Sequence, residues 1–316
     1  MDLAEHFYIM GIINVCLCGL SMSASFIICI FYYKYTDMMK SFQAKLIFIL
    51  ALTHFTSALL SFIPSLYFII NRENIGANNS GISYAFGFFR VFFEYLGFGL
   101  TTIITYSLHL AINIHIDAIT KQKALFIMLF MGTVILMMIP IAINNNAYGE
   151  ADRINCWLMH LYSRFVFFVA WLILTFVNLF YILKIRKGLS GGMYNRDLEK
   201  TFSRKLIMIP MILFGCYLFN FIRRLCNLDA YQNGQSYDPI SIVYLMFIFM
   251  PLVGIFNALV VGTIDEGVKL RLNAFFCCNM QRIREINQIQ IIKNDNGFIE
   301  NYSANLRDSL ETSPVT

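Results

Sequence analysis

Polar residues along this chain are spaced so as to leave seven long apolar runs, at residues 8–33, 44–70, 84–114, 123–143, 159–183, 206–225 and 239–262. Each approaches the length an α-helix needs to cross about 30 Å of hydrocarbon at about 1.5 Å per residue. A chain crossing lipid must satisfy its own backbone hydrogen bonds, which selects helix. The pattern therefore predicts an all-α membrane protein, a seven-transmembrane bundle over residues 8–262. The third run exceeds what a crossing requires and is expected to tilt or project beyond the bilayer. Residues 1–7 form a short leading segment without lysine, arginine or a cleavage-site pattern, so the first run is expected to be a retained helix.

The last run contains three residues that are not lipid filler: Pro251, Gly254 and Asn257. Pro251 lacks a backbone donor and its ring opposes the carbonyl four residues back, so a bend is expected there. Gly254 permits close approach of a neighbouring helix, and Asn257 needs a polar partner inside the bundle. The run holds no lysine, which excludes a retinal Schiff base within it.

Composition agrees with the pattern: 58% hydrophobic, 16% aromatic, 14% charged, far more apolar than a soluble domain of 316 residues. The charge of +5 is informative through its distribution. With the N-terminus outside, inner segments carry Lys34, Lys40, Lys45, Lys121, Lys123, Lys184, Arg186, Lys187, Arg196, Lys200, Arg204, Lys205, Lys269, Arg271, Arg282 and Arg284. Outer segments hold Arg72, Arg153, Arg164, Arg223 and Arg224 and no lysine. This bias predicts a plasma-membrane protein with an extracellular N-terminus and a cytoplasmic C-terminus. The outer sequon at Asn78 fits that orientation and is a candidate glycosylation site. Neither the eight cysteines nor the five histidines show zinc or iron–sulfur spacing, so no metal and no cofactor is expected.

Several intramembrane residues carry candidate chemistry. His54 lies near the middle of the second run, where an ionisable group must be paired or face a cavity. It reads either as a neutral histidine bonded to its neighbours or as part of a switch. Arg90 and Glu94, spaced i,i+4 in the third run, read either as a mutual ion pair or as the lining of a ligand cavity. Thr101, Thr102, Thr105, Tyr106 and Ser107 continue that run as a polar stripe suited to interhelical hydrogen bonds. In the first run, Ser21, Ser23, Ala24 and Ser25 suit close packing against a neighbour. Pro210 sits one turn from the inner end of the sixth run, a position suited to a hinge, with Asn220 and Arg223 toward the outer end.

Tyr148-Gly149, Cys156-Trp157-Leu158 and Arg164-Phe165, followed by Pro210 with Asn220-x-x-Arg223 and then Gly254-Ile255-Phe256-Asn257-Ala258 with Gly262, form an ordered set. In that order and spacing the chain resembles the slime-mould cyclic-AMP-receptor-like family of seven-transmembrane G-protein-coupled receptors. The resemblance covers all seven runs by length and order, and its motifs lie between Tyr148 and Gly262. It implies a receptor activated from outside that signals to a heterotrimeric G protein. Two departures stand out. His54 occupies the place where the family usually has aspartate, which removes the basis for an aspartate-linked role. Residues 71–100 contain no cysteine, so Cys156 lacks the partner the family usually provides at the top of the third span. Cys226 is the remaining candidate for a bridge to Cys156. No DRY follows the third run and no NPxxY occurs in the seventh.

The outer segments are too short for a separate ligand domain, so an extracellular ligand is expected in the bundle between spans 3, 5, 6 and 7, under the loop around Trp157. Arginine suits bidentate binding of carboxylate or phosphate, so Arg90, Glu94, Trp157, Arg164, Asn220 and Arg223 form the candidate set for a small anionic or zwitterionic ligand. The competing reading has these arginines snorkelling to headgroups. His54, Pro210, Pro251 and Asn257 are the candidate switch residues. On the inner side, Lys184–Lys205 suits contact with anionic lipid or docking of a G protein. Residues 263–280 are expected to form a juxtamembrane amphipathic helix, with Val268, Leu272, Phe275 and Phe276 on one side. Cys277 and Cys278 suit palmitoylation or are structural thiols, and residues 281–316 read as a disordered cytoplasmic tail open to phosphorylation. No nucleophile–base constellation points to an enzyme, and nothing points to nucleic acid. A small transporter or channel is the rival class, although the halves show no matched broken helices.

Overall fold

The computed structural model describes residues 3–34, 42–73, 75, 80–113, 119–143, 147–150, 154, 156–190, 208, 210–222 and 240–264. The chain divides into two compact units, residues 1–261 and 262–316. The first holds the bundle; of the second, the end of the final helix is described. Asn78, Arg223, Cys226, Cys277 and Cys278, the expected helix at 263–280 beyond Ile264 and the expected tail lie outside the described residues.

Among the described residues there are seven helices: α1 (Leu3–Lys34), α2 (Phe42–Asn71), α3 (Ser80–Asn113), α4 (Ile119–Ile143), α5 (Leu161–Ser190), α6 (Pro210–Ile222) and α7 (Ile240–Ile264). All but α6 are long and apolar enough to cross a membrane, and the chain is an all-α seven-helix bundle of the membrane type. The helices are apolar around much of their circumference, as expected where lipid replaces water. Large side chains on α4 and α5, such as Ile127, Met128, Ile135, Phe165, Phe176 and Leu183, face outward.

Two boundaries differ most from the sequence expectation. Helix α1 begins at Leu3, inside the segment read as a free N-terminus. Helix α5 continues to Ser190, past the expected end at residue 183. Ile182 and Ile185 are buried there while Lys184, Arg186 and Lys187 point out, so the helical period persists beneath the cationic sequence. Cations in the last turns also favour the helix dipole.

Helix α3 is the centre of the bundle: 67% of its apolar stretch is buried, against 17% for α4. Its hydroxyl stripe turns largely inward on itself. Thr101, Thr105 and Ser107 donate to carbonyls of their own helix. Thr102 does likewise and also accepts from Asn178 Nδ2 at 2.9 Å, which ties α5 to α3. Asn14 Nδ2 donates to Ser65 Oγ at 2.7 Å and joins α1 to α2. Gly254 of α7 lies against α1, where a Cβ would meet the Ser21 and Ser25 hydroxyls.

The loop after α4 contains a short antiparallel hairpin that the sequence pattern did not predict. Strand β1 (Tyr148–Glu150) pairs with β2 (Cys156–Leu158) in the register Tyr148↔Leu158, Gly149↔Trp157 and Glu150↔Cys156. Gly149 has φ +155°, a conformation that suits glycine. Met159 N–H donates to Ala147 O at 2.9 Å and extends the pairing.

Candidate functional site

The hairpin is sunk into the bundle rather than laid over it, and Gly87 of α3 is what allows this. A Cβ at Gly87 would lie 3.1 Å from Gly149 N and Trp157 O, so the missing side chain brings the hairpin backbone against the helix. Tyr148 is buried and donates from its hydroxyl to Met137 O at 2.9 Å, fixing β1 to α4. Burial, reinforced by nearby Tyr84, pushes the Tyr148 phenol above the ordinary tyrosine range. Arg164 at the start of α5 donates from Nε to Leu158 O at 2.7 Å and so holds the end of β2.

These attachments deliver Trp157 to Glu94. The indole Nε1 donates to Glu94 Oε2 at 2.9 Å, while Arg90 Nε donates to Glu94 Oε1 at 3.1 Å. Both carboxylate oxygens are therefore engaged, one by the same helix and one by the hairpin. Arg90 and Glu94 are almost wholly buried, so the pair acts in a weakly polarisable setting where each charge depends on the other. Arg90 Nη1 is also buried and has no partner among the described residues.

The ring of Trp157 is packed as closely as its N–H is bonded. It lies edge-on to Phe167 at 5.0 Å, and Phe167 in turn contacts Tyr95 at 4.9 Å. Phe98 meets Tyr217 at 4.8 Å, and Trp171 stacks on Phe214 at 5.4 Å with planes 8° apart. Side chains thus fill the space between α3, α5 and α6, where part of the ligand cavity was expected. A polar cavity of about 30 Å³ lies on the other flank of α3, among α1, α2, α3, α6 and α7. Asn14, Ser57, Ser61, His54, Arg90 and Glu94 contribute to its wall. It is far smaller than the roughly 300–1,000 Å³ of pockets that enclose drug-sized ligands.

Below this cavity, Asn257 Nδ2 lies 2.8 Å from His54 Nε2, linking α7 to α2. His54 also lies beside Gly97 of α3, whose absent Cβ would sit 3.5 Å from the imidazole Cε1. Pro251 lines the upper cavity and Asn257 a second, of about 10 Å³, which His54 shares. Pro210 borders a third small cavity with Trp171 and Asn178, between α5 and α6.

The structure thus unites Arg90, Glu94 and Trp157 in one hydrogen-bonded group and His54 with Asn257 in another. Arg164 binds the hairpin backbone, and Asn220 is buried on α6. Cys156 Sγ lies 3.4 Å from Ser83 Oγ. Asn14, Ser57, Ser61, Tyr217 and Gly87 were not singled out in the sequence. Ser57 and Ser61 share a spacing of i,i+4 with Ser65 in an apolar run, which is a readable sign of one polar face.

No protein-family profile matches the chain, and no curated protein matches it. Solved structures do share its architecture. A crystal structure of squid rhodopsin superposes with a TM-score of 0.67 at 14% sequence identity, covering 91% of this chain and 92% of that one. At that identity the likeness is one of fold: the chain has a rhodopsin-like seven-helix architecture.

Proposed function

We propose that the chain is a G-protein-coupled receptor that detects a small extracellular ligand at the outer half of its bundle. The observation that carries this reading is the Arg90–Glu94–Trp157 group, which joins an outer hairpin to a buried ion pair on the central helix. A ligand that moves the hairpin must alter the hydrogen bonding of a buried charge, and that change is costly enough to bias the packing of the helices. Arg90 Nη1 suits a carboxylate or phosphate group, so the ligand class is anionic or zwitterionic. The small cavity beside Arg90 requires the hairpin or the helices to shift when a larger ligand enters. Arg164 acts by holding the hairpin, Asn220 lies in the last turn of α6, and Arg223 completes the candidate ligand set.

In this reading the chain resembles the slime-mould cyclic-AMP-receptor-like family, lies in the plasma membrane with its N-terminus outside and couples to a heterotrimeric G protein at its inner face. Pro210 and Pro251 serve as hinges. Glycosylation at Asn78, a Cys156–Cys226 bridge, a membrane-lying helix over 263–280 and palmitoylation at Cys277 and Cys278 complete the proposal. Its test is nucleotide exchange on a co-expressed G protein, run against a panel of small anions and nucleotides. Stimulation by one of them, lost in Glu94→Gln receptor that still reaches the surface, supports the proposal. Steady flux of one of the same compounds in cells lacking the G protein would identify a transporter instead.

A further inference from the structure

We propose that His54 is a proton-binding site whose occupancy turns over the Asn257 amide and so resets the contact between α2 and α7. At 2.8 Å, Asn257 Nδ2 and His54 Nε2 are within hydrogen-bond distance. An amide N–H can only donate, so when Asn257 Nδ2 faces His54 Nε2 the ring nitrogen accepts, and the imidazole is neutral with its proton on Nδ1. An imidazolium donates from both nitrogens and offers no acceptor. The pair can then remain bonded only if Asn257 presents Oδ1. That oxygen is buried and has no partner among the described residues, so turning the amide gives it a donor. The step adds one proton from solvent to Nε2, breaks no covalent bond and leaves the ring as a cation.

The surroundings make this a two-state element. His54 lines both the upper polar cavity and the smaller one below it, so its ring faces a polar and an apolar side at once. Groups that bear on its charge come from every packed element around the upper cavity. Arg90 and Glu94 line that cavity with His54 from α3, Cys18 from α1 and Tyr217 from α6, while α7 lines it with Met250, Pro251, Val253 and Gly254, none of them titratable, and bonds His54 through Asn257. Arg90 opposes a second cation; Glu94 favours one. Because Glu94 is shared with Trp157, anything that shifts the hairpin changes that balance. Proton binding at His54 and events at the outer mouth are therefore thermodynamically linked and reciprocal. In the turned state Asn257 Nδ2 points away from His54, and Ser25 of α1 lines the small cavity that His54 and Asn257 share.

This site operates without a ligand or a G protein, so its test does not depend on the receptor reading. The full chain in lipid nanodiscs, labelled with ¹⁵N-histidine, is titrated from about pH 3 to about pH 8, a range wide enough for a buried imidazole to change charge. His54→Gln assigns the signal, and hydrogen exchange of peptides from α7 is followed over the same range. The expected result is a step in α7 protection with the same midpoint as the His54 signal, absent in His54→Gln. In Asn257→Asp, a carboxylate facing Nε2 should raise that midpoint by roughly one pH unit or more. A His54 signal that does not titrate, or an α7 step that persists in His54→Gln, would overturn the proposal. So would an unmoved midpoint in Asn257→Asp. A merely structural pair predicts lower melting temperatures for both variants and no step at any pH, which also overturns it.

Discussion

Trp157 of the hairpin and Glu94 of the central helix share a hydrogen bond of 2.9 Å, although 63 positions separate them in the chain. The bond makes a loop residue a partner of a buried carboxylate, and the carboxylate a partner of the loop. Because Arg90 holds the other oxygen, removing the indole N–H leaves the ion pair in place but incompletely satisfied. Trp157→Phe keeps an aromatic ring against Phe167 and should lower stability by about 1–3 kcal/mol, the cost of leaving a buried polar group short of a partner. Thermal unfolding in nanodiscs measures it. A melting temperature equal to that of the native chain would show that the bond contributes nothing.

Removing Arg90 should be worse than removing both charges. Arg90→Met strands the Glu94 carboxylate in a site where its side chain is 2% exposed, and breaking one side of such a pair costs roughly 3–5 kcal/mol. Arg90→Met with Glu94→Gln leaves a neutral amide whose oxygen still accepts from Trp157, so the double variant should be the more stable of the two. A double-mutant cycle on melting free energies decides the matter. Additive losses would mean that the two side chains are not coupled.

Much of the bundle could be read from the chain, because a run of apolar residues in lipid has few ways to fold. The i,i+4 spacing likewise exposed Arg90 and Glu94 as a pair. The hairpin was not legible: its strands are three residues each, and their conformation depends on Gly87, over sixty residues away, making room for them. The C-terminal end of α5 was not legible either, because Lys184, Arg186 and Lys187 look like loop charges, whereas buried Ile182 and Ile185 set the helical phase. His54 and Asn257 each signalled the need for a polar partner, but no local pattern could pair residues 203 positions apart. The side of α3 that carries the cavity depends on where the aromatic rings pack, and rings such as Trp171 and Phe214 take their places only in three dimensions.

Helices α1 and α7 meet through a missing side chain. A methyl group at Gly254 would meet the hydroxyls of Ser21 and Ser25, so Gly254→Ala forces the helices apart or the serines into other rotamers. Overpacking of this kind costs about 1–3 kcal/mol. Adding Ser21→Ala removes the nearest obstructing atom and should restore part of the loss. If the double variant melts below Gly254→Ala alone, the contact is not steric.

Tyr148 supplies a prediction in alkali. Its phenol is held protonated above the usual tyrosine range by burial and by Tyr84, so between about pH 10 and its higher folded value the native chain binds a proton that the unfolded chain has lost. The sign follows from that difference: the contribution to stability is complete below about pH 10 and declines as pH rises. Tyr148→Phe has no phenol to titrate. It should be less stable near neutrality by about 0.5–1.5 kcal/mol, through loss of the bond to Met137 O, yet show a shallower fall in stability above about pH 10. Melting curves across that range test both halves of the prediction. Parallel declines in the two proteins would mean that the Tyr148 hydroxyl is not held in its neutral form by the fold.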